Sequence, residues 1–380
     1  MQTQTSNLFN YFKKVILPFG IGSLLFASSF TSLRISGTGP LEILFLSSLF
    51  LLILFKLLDK FAFNYLPLLA LAYLIFFMAP ITFYNVSTEF LGSSSRTLFA
   101  LIYGSLIGFT AANTSRDEQK YIAYGIFVTL LITVIIVMVQ FDFNNLQRLL
   151  FLSENPNQIA LYALGTVFFF AKSIEDLRVL LIGLVAALIY GSLALSDSYF
   201  LSILIILSFL LLKVLLKGKL FLLLGSTWLI LLLIAWPLAF PDNSYLEPIR
   251  GLWNAADQGG GRTTLALNGI SAFLSSPIFG NGAGAFSGTQ IPFMRFEAHN
   301  TMIDFLTMGA LPWLMIVYLP FLFAARTLAL NNKFLLLGAL MAMMVFSAFH
   351  FIGRHPIFWF IWGYCFLIEL ENRRAKKCAE

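Results

Sequence analysis

The sequence predicts an all-α integral membrane protein: about 12 transmembrane helices, both termini in the cytoplasm, and one larger outer loop with short surface helices between the ninth and tenth spans. Three observations predict it. The 380 residues are 59% hydrophobic and only 11% charged, with a mean hydropathy of +0.86, whereas soluble domains carry about a quarter charged residues. Apolar runs recur along the whole chain. The basic residues between those runs alternate from side to side in a consistent order.

The apolar runs fall at 15–33, 39–55, 61–80, 97–112, 121–139, 157–171, 178–194, 199–216, 220–239, 300–325, 334–350 and 356–370. The first, preceded by Lys13 and Lys14, has the charge of a signal peptide. Pro18, Gly20 and Gly22 interrupt its core and no small-x-small cleavage site follows, so it reads as the first span. The run at 98–112 is short enough for a tilted or irregular segment. No internal repeat, heptad run or low-complexity linker divides the chain, so 1–380 reads as one domain. Cys365 and Cys378 lie in an apolar stretch and a basic tail, a placement that implies neither a disulfide nor a metal site.

With the N-terminus inside, every lysine falls on the cytoplasmic side. The cations left outside are all arginine: Arg34, Arg96, Arg148, Arg250, Arg262, Arg295 and Arg354. The net charge of +6 therefore resolves into membrane topology, and no nucleic-acid partner is expected. Lysine as a topology signal accounts for the pattern. So does recognition of phosphate or carboxylate by the bidentate fork of arginine. His299, His350 and His355 also fall on or near the outer side.

Within residues 240–299 the chain stops being apolar, and this outer loop gathers Arg250, Arg262, Arg295, two glycine clusters and His299. Gly259, Gly260 and Gly261 precede Arg262 and a stretch with apolar residues at 267, 270, 273 and 274, which predicts a loop feeding an amphipathic surface helix. Arg262 at such a helix start opposes the dipole unless an anion is shared between them. Pro277 to Gly284 is spaced for tight turns and lacks the Gly-Lys-Ser/Thr of a P-loop. A structural turn is favoured there over a phosphate cradle. His299 beside Arg262 and Arg295 is the candidate general base. At the sixth span, Asn155 can cap the helix and Pro156 suits its first position. Capping alone explains that start, and anion binding at the N-terminus is the alternative. Glu42, Asp304 and Glu369 are the clearest intramembrane acids.

Asn155-Pro156-Asn157, Gly261-Arg262, Pro277 with Gly280, Gly282, Gly284 and Phe286, and Ala298-His299-Asn300 followed by a span containing Gly309 resemble, in order and spacing, the O-antigen ligase and O-antigen polymerase superfamily. The resemblance covers 155–319; before it, only topology is similar. It implies a type C glycosyltransferase of the bacterial inner membrane that moves a glycan at the periplasmic face, with inversion and without metal or other cofactor. The donor would be an undecaprenyl-diphosphate-linked glycan and the acceptor a hydroxyl of lipid A core or of a growing glycan chain. It implies His299 and Arg262 as catalytic residues, with Arg295, Arg96, Asn155, Asn157, Asn300 and Arg354 as substrate-binding candidates. The family's second arginine, expected after a serine in the turn following the seventh span, is absent: the chain reads Ser196-Asp197-Ser198 there. Arg96, Arg148, Arg295 or Arg354 would have to substitute. The rival class is a carrier of lipid-linked saccharide, which predicts paired intramembrane charges and a two-half repeat.

Overall fold

A computed structural model of the chain describes residues 2–33, 39–140, 152–153, 155–216, 260–288 and 294–379. The described residues contain helices and turns and no strand. The helices are α1 Gln2–Tyr11, α2 Leu17–Ala27, α3 Pro40–Leu58, α4 Leu68–Tyr73, α5 Ala79–Asn85, α6 Leu91–Ala111, α7 Arg116–Gln140, α8 Pro156–Ser173, α9 Leu177–Ser192, α10 Asp197–Leu216, α11 Gly260–Ser275, α12 Thr301–Leu330, α13 Phe334–Ser347 and α14 Pro356–Ala379. Each predicted apolar run falls on a helix except 220–239, which lies outside the described residues. Four continuous helices (Pro40–Leu58, Leu68–Asn85, Arg116–Gln140 and Thr301–Leu330) are long and apolar enough to cross a membrane, as in a helical membrane protein.

Two differences from the predicted bounds have local causes. The helix of the third apolar run, α4, starts at Leu68 rather than 61, because Asn113 clamps the preceding segment: its Oδ1 accepts the Asn64 N–H at 2.6 Å and its Nδ2 donates to the Asn64 carbonyl at 3.2 Å. Helix α6 starts at Leu91, enclosing Arg96 within its second turn. One-turn π-helices at Phe12–Ile16 and Leu74–Met78 each run into a helix with proline at its start, Pro18 or Pro80. A proline has no N–H for the carbonyl four residues back. The ladder widens instead, with Leu17 N–H reaching Phe12 O and Ala79 N–H reaching Leu74 O, as π-bulges do.

Packing divides the chain into two compact units. In the first, α2 and α7 approach so closely that Gly22 has no room for a Cβ beside the Ile122 backbone, nor Gly125 beside the Phe19 backbone. Ser23 Oγ donates to Gly125 O at 3.2 Å across that contact, the close small-residue crossing favoured where apolar surroundings give no hydrophobic drive. Lys56 and Glu118, both buried, pair at 2.7 Å, and Lys13 pairs with Asp59.

In the second unit, α6 lays Gly104 and Gly108 under the indoles of Trp359 and Trp362 on α14, again with no space for side chains. The indoles are anchored in turn: Trp359 Nε1 donates to Gly353 O at 2.6 Å and Trp362 Nε1 to Val317 O at 3.0 Å. Buried Phe305, Trp313, Phe351 and Phe358 fill the space between α12 and α14.

Helix α12 is broken inside. Gly309 sits at φ −131°, ψ 15° and Ala310 at φ 56°, ψ −159°, a region that side-chain-bearing residues rarely adopt. Pro312 explains the position, since it has no N–H to offer Met308 O. Three carbonyls lose their helical partners and find others. Thr307 O accepts the Asn281 N–H at 2.9 Å and Met308 O the Gly282 N–H at 2.9 Å. Gly309 O accepts the Tyr73 hydroxyl at 2.6 Å. Non-helical backbone is tolerated at membrane depth only when protein satisfies it in this way.

Candidate functional site

The segment that docks on the break is the glycine cluster. Gly280, Gly282, Gly284 and Gly288 all have positive φ. At Gly282 the left-handed backbone also makes a close approach: a Cβ would lie 2.7 Å from Thr82 Cα. The neighbouring amides are spent inside the protein. Ala283 N–H donates to Thr82 Oγ1 at 2.7 Å, Gly284 N–H to Met308 Sδ at 3.3 Å, and Gly288 N–H to Ala285 O at 2.7 Å. A phosphate cradle needs such amides unpaired, so the cluster is a structural turn, the favoured sequence reading.

The chain then returns along itself. Ser287 N–H reaches Phe296 O at 3.1 Å and Arg295 N–H reaches Gly288 O at 2.8 Å. This pairing holds Arg295, at φ 59°, in the wall of a cavity of about 350 Å³. Asn85, Ser271, Ser275 and Asn281 supply the rest of its polar lining, and Ala272, Ala285 and Gly288 its small apolar parts. Arg295 Nη1 donates to Ser94 Oγ at 3.2 Å, and the guanidinium carbon lies 5.0 Å from the centre of the Phe90 ring. Burial pulls the guanidinium below its ordinary pKa. Among the described residues no carboxylate pairs with it. A half-buried cation without a counter-ion is costly, and a bound anion removes that cost.

The other predicted residues are placed differently. Arg354 is neutralised: its Nη1 and Nη2 meet Glu297 Oε1 and Oε2 at 2.7 and 2.8 Å, a bidentate pair. Arg96 is exposed, with Nε donating to Gly92 O at 3.2 Å. It stands about 200° around α6 from Ser94, away from the Arg295 cavity. Arg262 is in the first turn of α11, which begins at Gly260, so the expected glycine loop is partly the helix start. Its backbone lies nine residues before Ser271 on that helix, about 13 Å along the axis. Arg34, Arg148 and Arg250 lie outside the described residues.

Asn300 is the N-cap of α12, its Oδ1 accepting the N–H groups of Met302 and Ile303 at 3.0 and 3.2 Å. Asn155 caps α8 in the same manner, accepting the Asn157 N–H at 2.9 Å ahead of Pro156. Asn155 and Asn157 belong to the first compact unit, the remaining candidates to the second. His299 is exposed at φ 52° and is outside the lining of the Arg295 cavity. The peptide before it is held from below: fully buried Asp304 accepts the Ala298 N–H through Oδ1 at 2.9 Å. Its Oδ2 has no hydrogen-bond partner among the described residues. Thr301 ties the α13–α14 connection to the same place, its Oγ1 donating to His350 O at 2.6 Å and accepting Ile352 N–H at 3.0 Å.

Beside the cavity, α11 exposes Leu267, Ile270 and Leu274, and the turn after it exposes Ile278 and Phe279. That stripe is the apolar face expected of a helix lying against a membrane. Among the described residues no group of three His, Cys, Asp or Glu stands within metal-ligating reach. The sequence reading did not single out Asn85, Ser94, Ser271, Ser275 or Asn281. Asn281 alone carried a signal, as the polar residue inside the glycine cluster. Neither protein-family models nor curated proteins match the chain.

Proposed function

We propose that the protein is a membrane glycosyltransferase that moves a glycan from an undecaprenyl-diphosphate-linked donor to an acceptor hydroxyl at the periplasmic face of the bacterial inner membrane. On this proposal the chain crosses the bilayer about 12 times with both termini in the cytoplasm. The order of motifs from Asn155 to Gly309 supports it. The observation that carries it is the loop that holds His299: the same segment builds a polar cavity around an arginine without a described carboxylate partner, beside an exposed apolar stripe. A lipid-linked, negatively charged saccharide combines those chemistries.

In the proposed reaction the acceptor oxygen attacks the anomeric carbon as the bond from that carbon to the diphosphate breaks. The electron pair of the broken bond leaves with the diphosphate, which Arg262 stabilises as charge develops. His299 takes the acceptor proton. The acceptor is lipid A core in a ligase and a growing glycan chain in a polymerase. Purified protein, given lipid-linked oligosaccharide and each acceptor, tests this. His299→Ala is expected to lower transfer by about 10²–10⁴-fold and Arg262→Ala by about 10²–10³-fold. Transfer by both variants at the wild-type rate would overturn the assignment.

A second reading, a carrier of the same lipid-linked saccharide, is favoured by the broken α12 and by buried Asp304, features that line transport paths. Wild-type protein that flips the lipid in vesicles yet transfers sugar to no acceptor would establish it instead.

A further inference from the structure

The cavity around Arg295 has a chemistry of its own. Its single described cation uses one of five guanidinium N–H donors on Ser94 Oγ, which leaves the fork open toward a ligand. The rest of the polar lining is different in kind. Asn281 has spent its Nδ2 on Ala272 O at 2.7 Å and Thr307 O at 3.3 Å, so its Oδ1 is left to accept. Ser275 has spent its hydroxyl proton on Ala272 O at 2.6 Å, so its Oγ also has only acceptor capacity left. Asn85, an exposed residue of the lining, adds an amide. Acceptors of this kind call for O–H donors, which a sugar ring has in number. One cation matches one negative group rather than several. The volume of about 350 Å³ lies at the small end of small-molecule sites.

We infer that this cavity binds a sugar unit carrying one anionic group, a carboxylate or a phosphate ester, with the anion on Arg295 and ring hydroxyls donating to Asn281 Oδ1 and Ser275 Oγ. The inference deepens the glycosyl-transfer proposal, for it names a subsite for acidic saccharide about 13 Å along α11 from Arg262. Binding is measured without donor, acceptor or transfer, so its failure and that of the proposed reaction are read separately.

The test uses the full-length protein in detergent and saturation-transfer NMR with four probes: glucuronate, glucose 1-phosphate, glucose and inorganic phosphate. Glucuronate and glucose 1-phosphate are expected to bind at least about tenfold more tightly than either glucose or phosphate, the discrimination one charge-assisted hydrogen-bond pair gives. Whichever acid binds more tightly identifies the natural group as carboxylate or phosphate ester. Arg295→Gln is expected to bring the acids down to the level of glucose. Arg295→Lys keeps the charge without the fork and is expected to retain part of the preference, which covers the case that the glutamine variant fails to fold. Inorganic phosphate binding as tightly as glucose 1-phosphate would overturn the sugar half of the inference. Acids binding no better than glucose to wild type, or equally well to Arg295→Gln, would overturn it entirely.

Discussion

Replacing Gly280 with alanine tests whether the glycine turn sits on the α12 break as a rigid piece. A Cβ at Gly280 would lie 2.6 Å from Met308 C and 2.7 Å from Gly309 Cα. Both are backbone atoms of a helix already held by three outside donors, so neither yields cheaply. The φ of +76° adds the left-handed cost of an L side chain, about 1–2 kcal/mol. Overpacking of a filled site costs about 1–3 kcal/mol, so the variant is expected to lose about 2–5 kcal/mol. Thermal unfolding in detergent, followed by tryptophan fluorescence, should show a midpoint lowered by about 2–6 °C, the unfolding entropy of a 380-residue chain being about 0.8 kcal/mol/K. Gly92→Ala is the control, helical and with nothing within 4 Å of its Cβ; its midpoint should stay or rise slightly. A Gly280→Ala midpoint within about 1 °C of wild type would refute the docking of this turn on the break.

Pro312→Ala restores an N–H that can compete for Met308 O, so the partner of Gly282 is lost. Maleimide labelling of a cysteine placed at Ser287, fully buried in the wild type, should then accelerate about tenfold for each 1.4 kcal/mol of docking removed; unchanged labelling would show that the proline does not set the break. Asn155→Ala should cost about 1 kcal/mol through loss of the α8 cap while Asn155→Asp holds stability, measured by the same melts; equal losses would argue against capping. A double-mutant cycle between Arg354→Gln and Glu297→Gln should give a coupling of about 0.2–1 kcal/mol, since the pair is partly exposed. Zero coupling would mean that the bidentate contact adds no stability.

Much of the architecture was legible because it is written in local periodicity. Apolar runs located the helices, and Asn155-Pro156 announced a helix start that the structure reproduces. Asn300 carried the same signal, an asparagine before an apolar run, and capping now accounts for its side-chain oxygen. The break in α12 was only half visible, since Gly309 and Pro312 stand in a run that otherwise reads as one span. Of the cavity, only Arg295 was named from the sequence, and its other walls were not. Ser94 meets Arg295, and Thr82 meets Ala283, across 201 residues of sequence, and no window of local pattern contains both partners. Even the arginines, which the sequence reading expects outside, separate only when their partners are known: Arg354 has a carboxylate, Arg96 a carbonyl of its own helix, and Arg295 a cavity.

The order of the chain gives the α12 break a consequence during biogenesis. The backbone donors at Asn281 and Gly282, like the hydroxyl of Tyr73, precede the carbonyls that they satisfy, Asn281 by 26 residues. As a nascent chain leaves the ribosome, the partners of the break are therefore made before the break itself. A helix with three bare carbonyls would enter hydrocarbon at several kcal/mol for each unsatisfied group; here the turn that covers them is already synthesised. A rearrangement of the gene that moved the glycine segment behind α12 would lose that head start.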